Sequence, residues 1–471
     1  MDFEVRNATF DGESNMLSCT YPGGRKIGCT YDEVNLKKTI TDETDPANSV
    51  LIASYGYSGR RVSQRVYGND TLMTCAYDGT FNQPNDFGVR QIVRTTHTFD
   101  PFGPNEAILD DRTYAWDKVY NKTQRADVRA ASTGLRLTHD YLYDPAYRMT
   151  QATATDTAAP GGPVTVRDTS YTLDGVHNRL STGGIINGSP DPAAGSYTMN
   201  AMPCDNLGNP LVPADGADRE LNQYTTTPLD QRTYDANGNL TSLKNDVAGN
   251  ALTLSVSCRY DYRNRMVEYK DNLTGQRHTY AYDALGRRIA KTVDADVTAY
   301  TTRYFYGGES QWQVCEEQDG SGDTVATYVY GRYIDEVLQM QRCESTPPCT
   351  SPGGTGVSPV DYYYHTDDLY NVMAVTDGAG QVVERYEYDD YGRPMVMDAA
   401  GNALALSDGT ALTTSAKNSQ ITGQRLALGL WFRLGSYIIG PKPGGSAWPT
   451  GKGTHSAGKG NHSESVEVSG S

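Results

Sequence analysis

Residues 278–289 of the chain read HTYAYDALGRRI, and this stretch contains the pattern that decides the fold. An alternating run ends in Tyr282 and Asp283, two variable residues follow, and Gly286 and Arg287 then lead into a second alternating run. Asp accepts hydrogen bonds from the backbone two residues later, which starts a turn, and Gly tolerates a positive φ. Two alternating runs joined by such a turn are typical of a β-hairpin.

The same pattern occurs at four places in the chain. The first three copies begin 26 and 22 residues apart, so the pattern is an internal repeat. Because one hairpin alone is only marginally stable, we expect neighbouring hairpins to pack side by side. The copies consist of Tyr234, Asp235 and Gly238; of Tyr260, Asp261, Asn264 and Arg265; of Tyr282, Asp283, Gly286 and Arg287; and of Tyr388, Asp389, Gly392 and Arg393.

Weaker copies of the pattern extend toward the N-terminus. They are Tyr31-Asp32, Tyr77-Asp78, Phe99-Asp100, Trp116-Asp117, Tyr143-Asp144 and Leu173-Asp174. Amphipathic stripes with a helical period are nearly absent, and Gly, Asn, Asp and Thr interrupt any candidate helix. The sequence therefore predicts an all-β protein built from an array of β-hairpins. We expect the motif tyrosines to be more buried than the other tyrosines, with hydroxyls facing water or a cavity.

Composition excludes several classes of protein. With 41 basic and 57 acidic residues the net charge is -16, which disfavours nucleic acid as a partner. The hydrophobic fraction of 37% is low, but 34 tyrosines can bury a large area with few rotatable bonds. The run from Leu426 to Gly440 is short and contains Arg433, so no transmembrane helix is predicted. No signal peptide is visible, which indicates either a cytosolic protein or an internal piece of a longer exported chain.

The eight cysteines are widely spaced and form no zinc-type or thioredoxin-type pair. Cys343 and Cys349 are six residues apart and would close a small loop in an oxidising compartment. Ordinary free thiols are the favoured interpretation of this pair.

One short stretch of the sequence contains side chains that are suited to chemistry. His365, Asp367 and Asp368 have side chains suited to a metal or to acid–base work. On a strand, His365 and Asp367 would share a face and Asp368 would face away, and a structural role at a strand end is the favoured interpretation.

Two further stretches resemble ligand loops. Residues 319–323 resemble part of a calcium loop, but the twelfth position is Tyr330 and not Glu, so we predict a hairpin turn. Residues 453–460 match a phosphate loop except that Gly460 replaces the Ser or Thr that binds magnesium. Exposed tyrosines would also stack on sugar rings, although cross-strand packing is the favoured role. We therefore predict no catalytic residue, no cofactor and no metal.

The array of Tyr-Asp motifs resembles the YD repeats of bacterial RHS proteins, which are shared with teneurins and with the cocoon components of insecticidal toxin complexes. Residues 362–393 are similar to the start of the RHS repeat-associated core. The resemblance covers about residues 20–424 and is highly specific from 231 onward. It implies a β-sheet ribbon that spirals into a hollow shell around a toxic cargo, in a polymorphic toxin that is secreted or at the cell surface.

The resemblance divides the chain into four segments: degenerate YD repeats at 1–230, well-formed repeats at 231–300, an RHS-associated core-like region at 301–424, and a Gly/Ser-rich tail at 425–471. The tail has five basic and two acidic residues, which indicates a frameshifted, replaced or truncated C-terminus that we expect to be disordered. The Asp-Pro-x-Gly signature at which many family members cut themselves is missing from it.

Three functions remain as hypotheses at this point. The first is a non-catalytic shell segment, whose partner is a toxin cargo or the missing remainder of the shell. The second is a cell-surface adhesin that binds glycans or a partner protein through its β-surface. The third is a self-cleaving toxin component that has lost its cleavage motif.

Overall fold

A computed structural model describes residues 7–79, 91–130, 134–201, 220–245, 253–294, 299–343, 358–392 and 394–402. These ranges contain strands and turns and no helix, which confirms the all-β prediction. They accordingly include no helix that is long and apolar enough to cross a membrane. Residues 425–471, the phosphate-loop-like stretch within them, Arg393 and Cys349 lie outside the described residues.

The strands in the described residues follow one another along the chain with turns between them. In chain order they are β1 Ala8–Phe10, β2 Met16–Thr20, β3 Lys26–Tyr31, β4 Lys37–Asp42, β5 Val50–Ser58, β6 Arg61–Tyr67, β7 Thr71–Tyr77, β8 Ile92–Phe99, β9 Ala107–Trp116, β10 Lys122–Asp127, β11 Leu137–Tyr143, β12 Met149–Asp156, β13 Val164–Leu173, β14 Arg179–Ile186, β15 Ser189–Pro190, β16 Gly195–Ser196, β17 Thr198–Ala201, β18 Glu220–Thr226, β19 Asp230–Tyr234, β20 Leu240–Asn245, β21 Thr253–Tyr260, β22 Met266–Asp271, β23 Arg277–Tyr282, β24 Arg288–Asp294, β25 Tyr300–Tyr306, β26 Val314–Gln318, β27 Thr324–Tyr330, β28 Val337–Arg342, β29 Val360–Thr366, β30 Val372–Asp377, β31 Val382–Tyr388 and β32 Pro394–Met397.

These strands form two 16-stranded sheets. In sheet 1, β1 to β15 pair in chain order and β16 pairs with β14; in sheet 2, β17 to β32 pair in chain order. Neighbouring strands are antiparallel throughout, for example Tyr280 opposite Lys291 in β23 and β24. The sheets divide between Ser196 and Thr198. The segment boundaries predicted at 230, 300 and 424 depend on how closely the sequence matches the repeat motif, and they stay predictions.

The repeat turns are each organised by one aspartate, as Asp235 shows between β19 and β20. The Asp235 N–H donates to the Asn239 carbonyl at 2.9 Å, and the Gly238 N–H donates to the Asp235 carbonyl at 3.0 Å. Asp235 Oδ1 also accepts the N–H groups of Asn237 and Asn239, both at 2.9 Å. The carboxylate therefore satisfies backbone donors inside the loop that no strand can reach.

The residue three positions after the aspartate has a positive φ. It is 83° at Gly238, 59° at Asn264, 87° at Gly286 and 79° at Gly392, so turns are present at all four positions where the sequence predicts them. Asp319 forms the same kind of turn, in which its Oδ1 accepts three N–H groups at 2.8, 2.9 and 3.0 Å. The stretch at 319–323 is thus a hairpin turn.

The motif tyrosines link each hairpin to the one before it. The Tyr282 hydroxyl, at the end of β23, donates to the carbonyl of Met266 at the start of β22, at 2.7 Å. The same bond joins later strand ends to earlier strand starts: Tyr306 to Arg288 at 2.8 Å, Tyr330 to Val314 at 3.0 Å and Tyr388 to Val372 at 2.9 Å. The expectation that these hydroxyls face water or a cavity is wrong, because each has a backbone acceptor in the preceding repeat.

The arginines of the motif link the turns themselves. Arg265 pairs with Asp261 of its own turn at 2.7 Å, and its Nη1 donates to the carbonyl of Asp283 in the next turn at 3.0 Å. Arg287 pairs with Asp283 at 2.6 Å. Its guanidinium lies 4.9 Å from the ring centre of Tyr306, which ends the first strand of the following hairpin. Consecutive repeats are therefore joined by hydrogen bonds, ion pairs and cation–π contacts.

The most buried tyrosines are not the motif tyrosines. Tyr234 and Tyr282 are half-buried, whereas Tyr67 and Tyr364 are almost completely buried, and the Tyr67 hydroxyl donates to the Tyr364 carbonyl across the sheets at 2.9 Å. The predicted ranking of tyrosine burial is thus wrong for these residues. Motif tyrosines stand where a strand meets its turn, whereas Tyr67 and Tyr364 stand where one sheet meets the other.

The two sheets meet in the same strand order. Early strands of sheet 1 contact early members of the range β25–β32, and later strands contact later members. The hydrogen bonds that establish this order join Tyr21 to the Tyr328 carbonyl at 2.8 Å, Tyr67 to the Tyr364 carbonyl at 2.9 Å, His97 to the Thr366 carbonyl at 3.0 Å, and Tyr171 to the Asp390 carboxylate at 2.6 Å. We call this zone of contact the seam.

Part of the apolar core also lies in the seam. One buried cluster combines Ile40 and Ile52 of sheet 1 with Cys315 and Leu338 of sheet 2. Cys343 is disulfide-bonded, so the free-thiol interpretation is wrong for this residue, whose partner lies outside the described residues. Five other cysteines are free thiols: Cys19, Cys29, Cys75, Cys258 and Cys315.

We predict that Gly286→Val destabilises the protein by about 1–2 kcal/mol, because a β-branched residue is strained at positive φ. No atom outside the turn lies within 4 Å of the position that a Cβ would take, so the effect would be conformational and not a steric clash. Gly286→Asn is the matched control, since Asn264 already occupies the equivalent place in the neighbouring turn. Chemical denaturation measures both variants, and equal losses would contradict the turn model.

We also predict that Tyr282→Phe costs about 1 kcal/mol of stability, because the Met266 carbonyl loses its donor. Tyr262→Phe is the control, since that side chain is 83% exposed and should change stability by less than about 0.5 kcal/mol. Denaturation curves of the two variants, compared at equal m-values, test the linkage between hairpins. A neutral Tyr282→Phe would show that the hydroxyl bond contributes nothing.

Candidate functional site

The three core-motif residues lie at the end of β29, where sheet 2 meets sheet 1. His365 belongs to the strand itself, while Asp367 and Asp368 begin the turn toward β30. All three side chains are buried. The structure brings them together, but each has a different partner.

Asp367 organises its turn in the same way as Asp235. Its Oδ1 accepts the N–H groups of Leu369 and Asn371, both at 2.9 Å. Its Oδ2 lies 3.7 Å from Arg125 of sheet 1. The carboxylate therefore has its acceptor capacity occupied by the turn, with one ionic contact to the other sheet.

Asp368 contacts sheet 1 through Lys122, whose ammonium lies 2.7 Å from the carboxylate. Burial raises the pKa of Asp368, while the charge of Lys122 opposes that shift. The expectation that Asp368 faces away from His365 is wrong, because β29 ends at Thr366 and strand alternation does not continue into the turn. The Lys122 ammonium also lies 4.9 Å from the ring centre of Tyr114.

His365 contacts a second histidine, His97 of β8 in sheet 1. Their Nδ1 atoms are 3.1 Å apart, and the ring centres are separated by 4.9 Å. Among the residues that the structure describes, no group of three or more His, Cys, Asp or Glu side chains is arranged to hold a metal ion. The histidines instead belong to a hydrogen-bond network that crosses the seam.

A buried ionic cluster near these residues was not identified from the sequence. Glu387 of sheet 2 contacts two arginines of sheet 1: Arg112 through its Nη1, and Arg125 at 2.9 Å. Arg112 also pairs with Asp110 at 3.1 Å. Burial acts to raise the pKa of Glu387, but Arg112 and Arg125 outweigh it and hold that pKa well below its usual range. His139 lies 3.5 Å from the same carboxylate.

One signal in the sequence could have identified half of this cluster. Asp110, Asp111 and Arg112 are consecutive charged residues inside a strand, so alternation must direct at least one of them inward. Asp110 and Arg112 face the seam, while Asp111 pairs with Arg94, whose side chain is half-exposed. Nothing local to this stretch identifies Glu387 as the partner, because it lies 275 residues away from Arg112.

Other ion pairs follow the seam in both directions. Arg65 of β6 contacts Glu336, Lys37 of β4 pairs with Glu309 at 2.8 Å, and Arg167 of β13 pairs with Asp389 at 3.3 Å. In each pair sheet 1 supplies the cation and sheet 2 the anion. Together with the cluster around Glu387, these ion pairs act as an electrostatic clamp between the two sheets. Their carboxylates are occupied by basic groups or by the backbone of a turn.

Comparisons with known proteins give relatives of the repeat region. No protein-family model matches the chain. It is 26% identical over 238 residues to the tRNA nuclease WapA of Bacillus subtilis strain 168, a match to 49% of this chain and 8% of the relative. It is 28% identical over 188 residues to the tRNA(Glu)-specific nuclease WapA of Bacillus subtilis subsp. natto, with 38% and 6% covered. The chain thus corresponds to a small part of these relatives.

Solved structures share the fold. The TcdB2-TccC3-Cdc42 crystal structure superimposes with a TM-score of 0.55 at 16% identity, over 87% of this chain and 19% of that chain. The Photorhabdus luminescens Tc holotoxin pore gives a TM-score of 0.53 at 15% identity, over 83% and 18%.

The fold is therefore that of a repeat-built β-shell, made of antiparallel hairpins in two large sheets. The Tyr-Asp repeats, the matches to the WapA relatives and the fold shared with these structures support an RHS/YD-repeat protein.

We predict that Glu387→Gln destabilises the protein by about 3–5 kcal/mol, because it leaves Arg112 and Arg125 buried without their shared anion. Glu268→Gln is the control, since that carboxylate pairs with the more exposed Arg259 and Arg277 and should cost about 0–1 kcal/mol. Urea denaturation at pH 7 compares the two. Similar losses would contradict a clamp centred on Glu387.

Proposed function

We propose that the chain is a wall segment of a YD-repeat shell, without catalysis of its own, that encloses or presents a toxin-like cargo. The strand order at the seam is the observation that carries this proposal. Sheet 2 runs beside sheet 1 in the same direction, from the contact of Tyr21 with Tyr328 to the contact of Tyr171 with Asp390.

The direction of this order distinguishes a wound ribbon from a folded one. If the ribbon simply folded back on itself, the last strands of sheet 1 would contact the first strands of sheet 2, and the first strands of sheet 1 would contact the last strands of sheet 2. In the observed order, the strands from β17 to β24 carry the chain from the end of sheet 1 back toward its beginning. A ribbon with that path encircles a central space.

The number of strands in one circuit gives the size of that space. Partners across the seam are separated by between 18 and 25 strands, from Tyr171–Asp390 to Tyr21–Tyr328. At about 4.8 Å per strand, one circuit measures ~90–120 Å, which corresponds to a ring ~30–40 Å across. Such a ring has room for a small or unfolded polypeptide.

The comparisons support a toxin-related role without assigning an activity to these residues. The WapA relatives are named as tRNA nucleases, but the match covers only 8% of the Bacillus subtilis protein. The chemistry of such a relative would then reside in parts that do not match this chain. We infer that this chain acts beside a cargo of that kind, in a protein that is secreted or at the cell surface.

Electron cryo-microscopy of the purified chain tests the wall proposal directly. We expect a ring or spiral with an empty centre and two adjacent ribbon rows joined at the seam. A compact two-sheet sandwich without a central space would contradict it. Incubation with tRNA provides the second readout, for which we expect no cleavage by the chain alone.

We also predict that the purified chain does not cut itself. Carboxylates must lie within about 2.6–3.2 Å of the reacting atoms to act as acid and base. The candidate carboxylates are engaged elsewhere: Asp367 in its turn, Asp368 with Lys122, Asp389 with Arg167, and Asp390 with Tyr171.

Intact mass after long incubation measures this outcome. A discrete fragment that disappears when one of those four aspartates is changed to Asn would contradict the non-catalytic assignment.

A further inference from the structure

Two histidines of the seam, His97 and His365, form an inter-sheet contact that the shell role does not require. His97 comes from β8 of sheet 1 and His365 from β29 of sheet 2, and neither side chain is accessible to solvent. Their Nδ1 atoms, 3.1 Å apart, form one of the hydrogen bonds that join the sheets at this point. Two nitrogens at this distance can share only one hydrogen.

The surrounding partners determine which nitrogens carry hydrogen. His97 Nε2 lies 3.0 Å from the Thr366 carbonyl, which can only accept, so Nε2 carries a hydrogen, and in the neutral ring Nδ1 is then an acceptor. His365 Nδ1 must then donate to His97 Nδ1. This leaves His365 Nε2 as an acceptor for the Thr376 hydroxyl at 2.9 Å. Two neutral rings thus satisfy all four nitrogens in the closed seam, and burial beside arginines disfavours a charge on either ring.

Charged groups face this pair from several elements. Asp110 lies directly opposite His97 on β9, and it is already paired with Arg112 of the same strand. Arg65 of β6 and Arg385 of β31 add positive charge around the two rings. Arg65 is bound to Glu336, whereas Arg385 donates to the Leu109 and Ala399 carbonyls at 2.5 and 2.9 Å. The Tyr67 ring is 5.1 Å from His365.

We propose that His97 and His365 form an acid-sensitive latch that holds the two sheets together at neutral pH and releases this part of the seam on acidification. One added proton charges a ring beside Arg65 in a site closed to water, and the pair then keeps its shared hydrogen only if the hydrogen of His365 moves to Nε2 and the Thr376 hydroxyl turns away. A second proton leaves two N–H groups facing each other across 3.1 Å, and the rings then separate. The latch concerns the contact between sheets, and it can be tested independently of any cargo.

The direction of the pH effect follows from the neutral closed state. Burial lowers the pKa of His97 to about 4, and burial together with His97 holds the pKa of His365 well below its ordinary value. In an open or unfolded chain both residues titrate near the ordinary histidine value of about 6.5. The latch therefore contributes fully above about pH 6.5 and loses its contribution as the pH falls toward 4.

The rest of the seam should respond less in this range. The pKa of Glu387 is held far below that of an ordinary glutamate, so its ion pairs with Arg112 and Arg125 persist at pH 5. His139, beside Glu387, has a lowered pKa of its own, but it is not bonded to a second histidine. Release is thus expected first around β8, β29 and β30.

Hydrogen exchange of the full chain at pH 7 and pH 5, corrected for the intrinsic exchange rate, tests the latch. We expect amides of β8, β29 and β30 to exchange at least 10-fold faster at pH 5, while those of β12 and β13 change little. Unchanged protection of β8 and β29 at pH 5 would overturn the proposal. Uniform loss of protection across both sheets would also overturn it, because the release would not be local.

Three variants separate the latch from ordinary acid sensitivity. In His97→Asn the amide oxygen can accept from His365 Nδ1, and in His365→Asn the amide can rotate to match either state of His97. Each of these two variants should reduce, at least fivefold, the acceleration of amide exchange in β8, β29 and β30 between pH 7 and pH 5. His278→Asn is the control, because burial lowers the pKa of His278 to about 4 but the residue lies in sheet 2 away from His97. An unchanged response in the first two variants would overturn the proposal.

A measurement on the unaltered protein covers the case in which these variants fail to fold. Imidazole ¹⁵N shifts in protein labelled at histidine report the tautomer of each ring. We expect a neutral pair at pH 6, with hydrogen on Nε2 of one ring and on Nδ1 of the other. A charged ring in the closed seam at that pH would overturn the proposal.

Discussion

The rest of the structure depends on the aspartate that organises the turn of each repeat. Its carboxylate accepts the N–H groups two and four residues later, as Asp235 does in the turn between β19 and β20. This bond closes a five-residue loop of fixed shape, and the positive φ at the fourth position completes the reversal. Because the turn has the same geometry each time, the preceding and following residues take the same places in every repeat.

That regularity lets each hairpin support the next one. The tyrosine before the aspartate reaches the strand start of the preceding hairpin, and the arginine after the loop reaches the following turn, as Tyr282 and Arg265 show. A chain with only 37% hydrophobic residues can thereby order a long sheet, because polar bonds repeated along its edge supplement a thin apolar core.

The seam is held together by different interactions from those that join the hairpins. Sheet 1 supplies cations such as Arg112 and Lys122, and sheet 2 supplies anions such as Glu387 and Asp368, in buried pairs. Buried ion pairs add little net stability compared with apolar contacts, but a mismatched pairing would leave charges buried alone. We interpret these pairs as the interaction that sets which strand of one ribbon row lies beside which strand of the next. The same seam contains His97 and His365. Because their Nδ1 atoms share a single hydrogen, a change in protonation acts directly on this contact between the sheets.

The sequence by itself determined the hairpins, because the Asp-to-Gly or Asp-to-Asn spacing at Asp235, Asp261, Asp283 and Asp389 acts within five residues. The all-β class followed from the alternating runs around those turns, and the structure agrees with both. Only the tertiary structure decided the partners of His365, Asp368 and Glu387, which lie in sheet 1 between 246 and 275 residues away. It also decided which tyrosines are buried, since Tyr67 and Tyr364 differ from the motif tyrosines only in lying where two ribbon rows meet. A local sequence pattern predicts the hydrogen bonds of a turn. It contains no information about a residue that comes into contact only after a full circuit of the sheet.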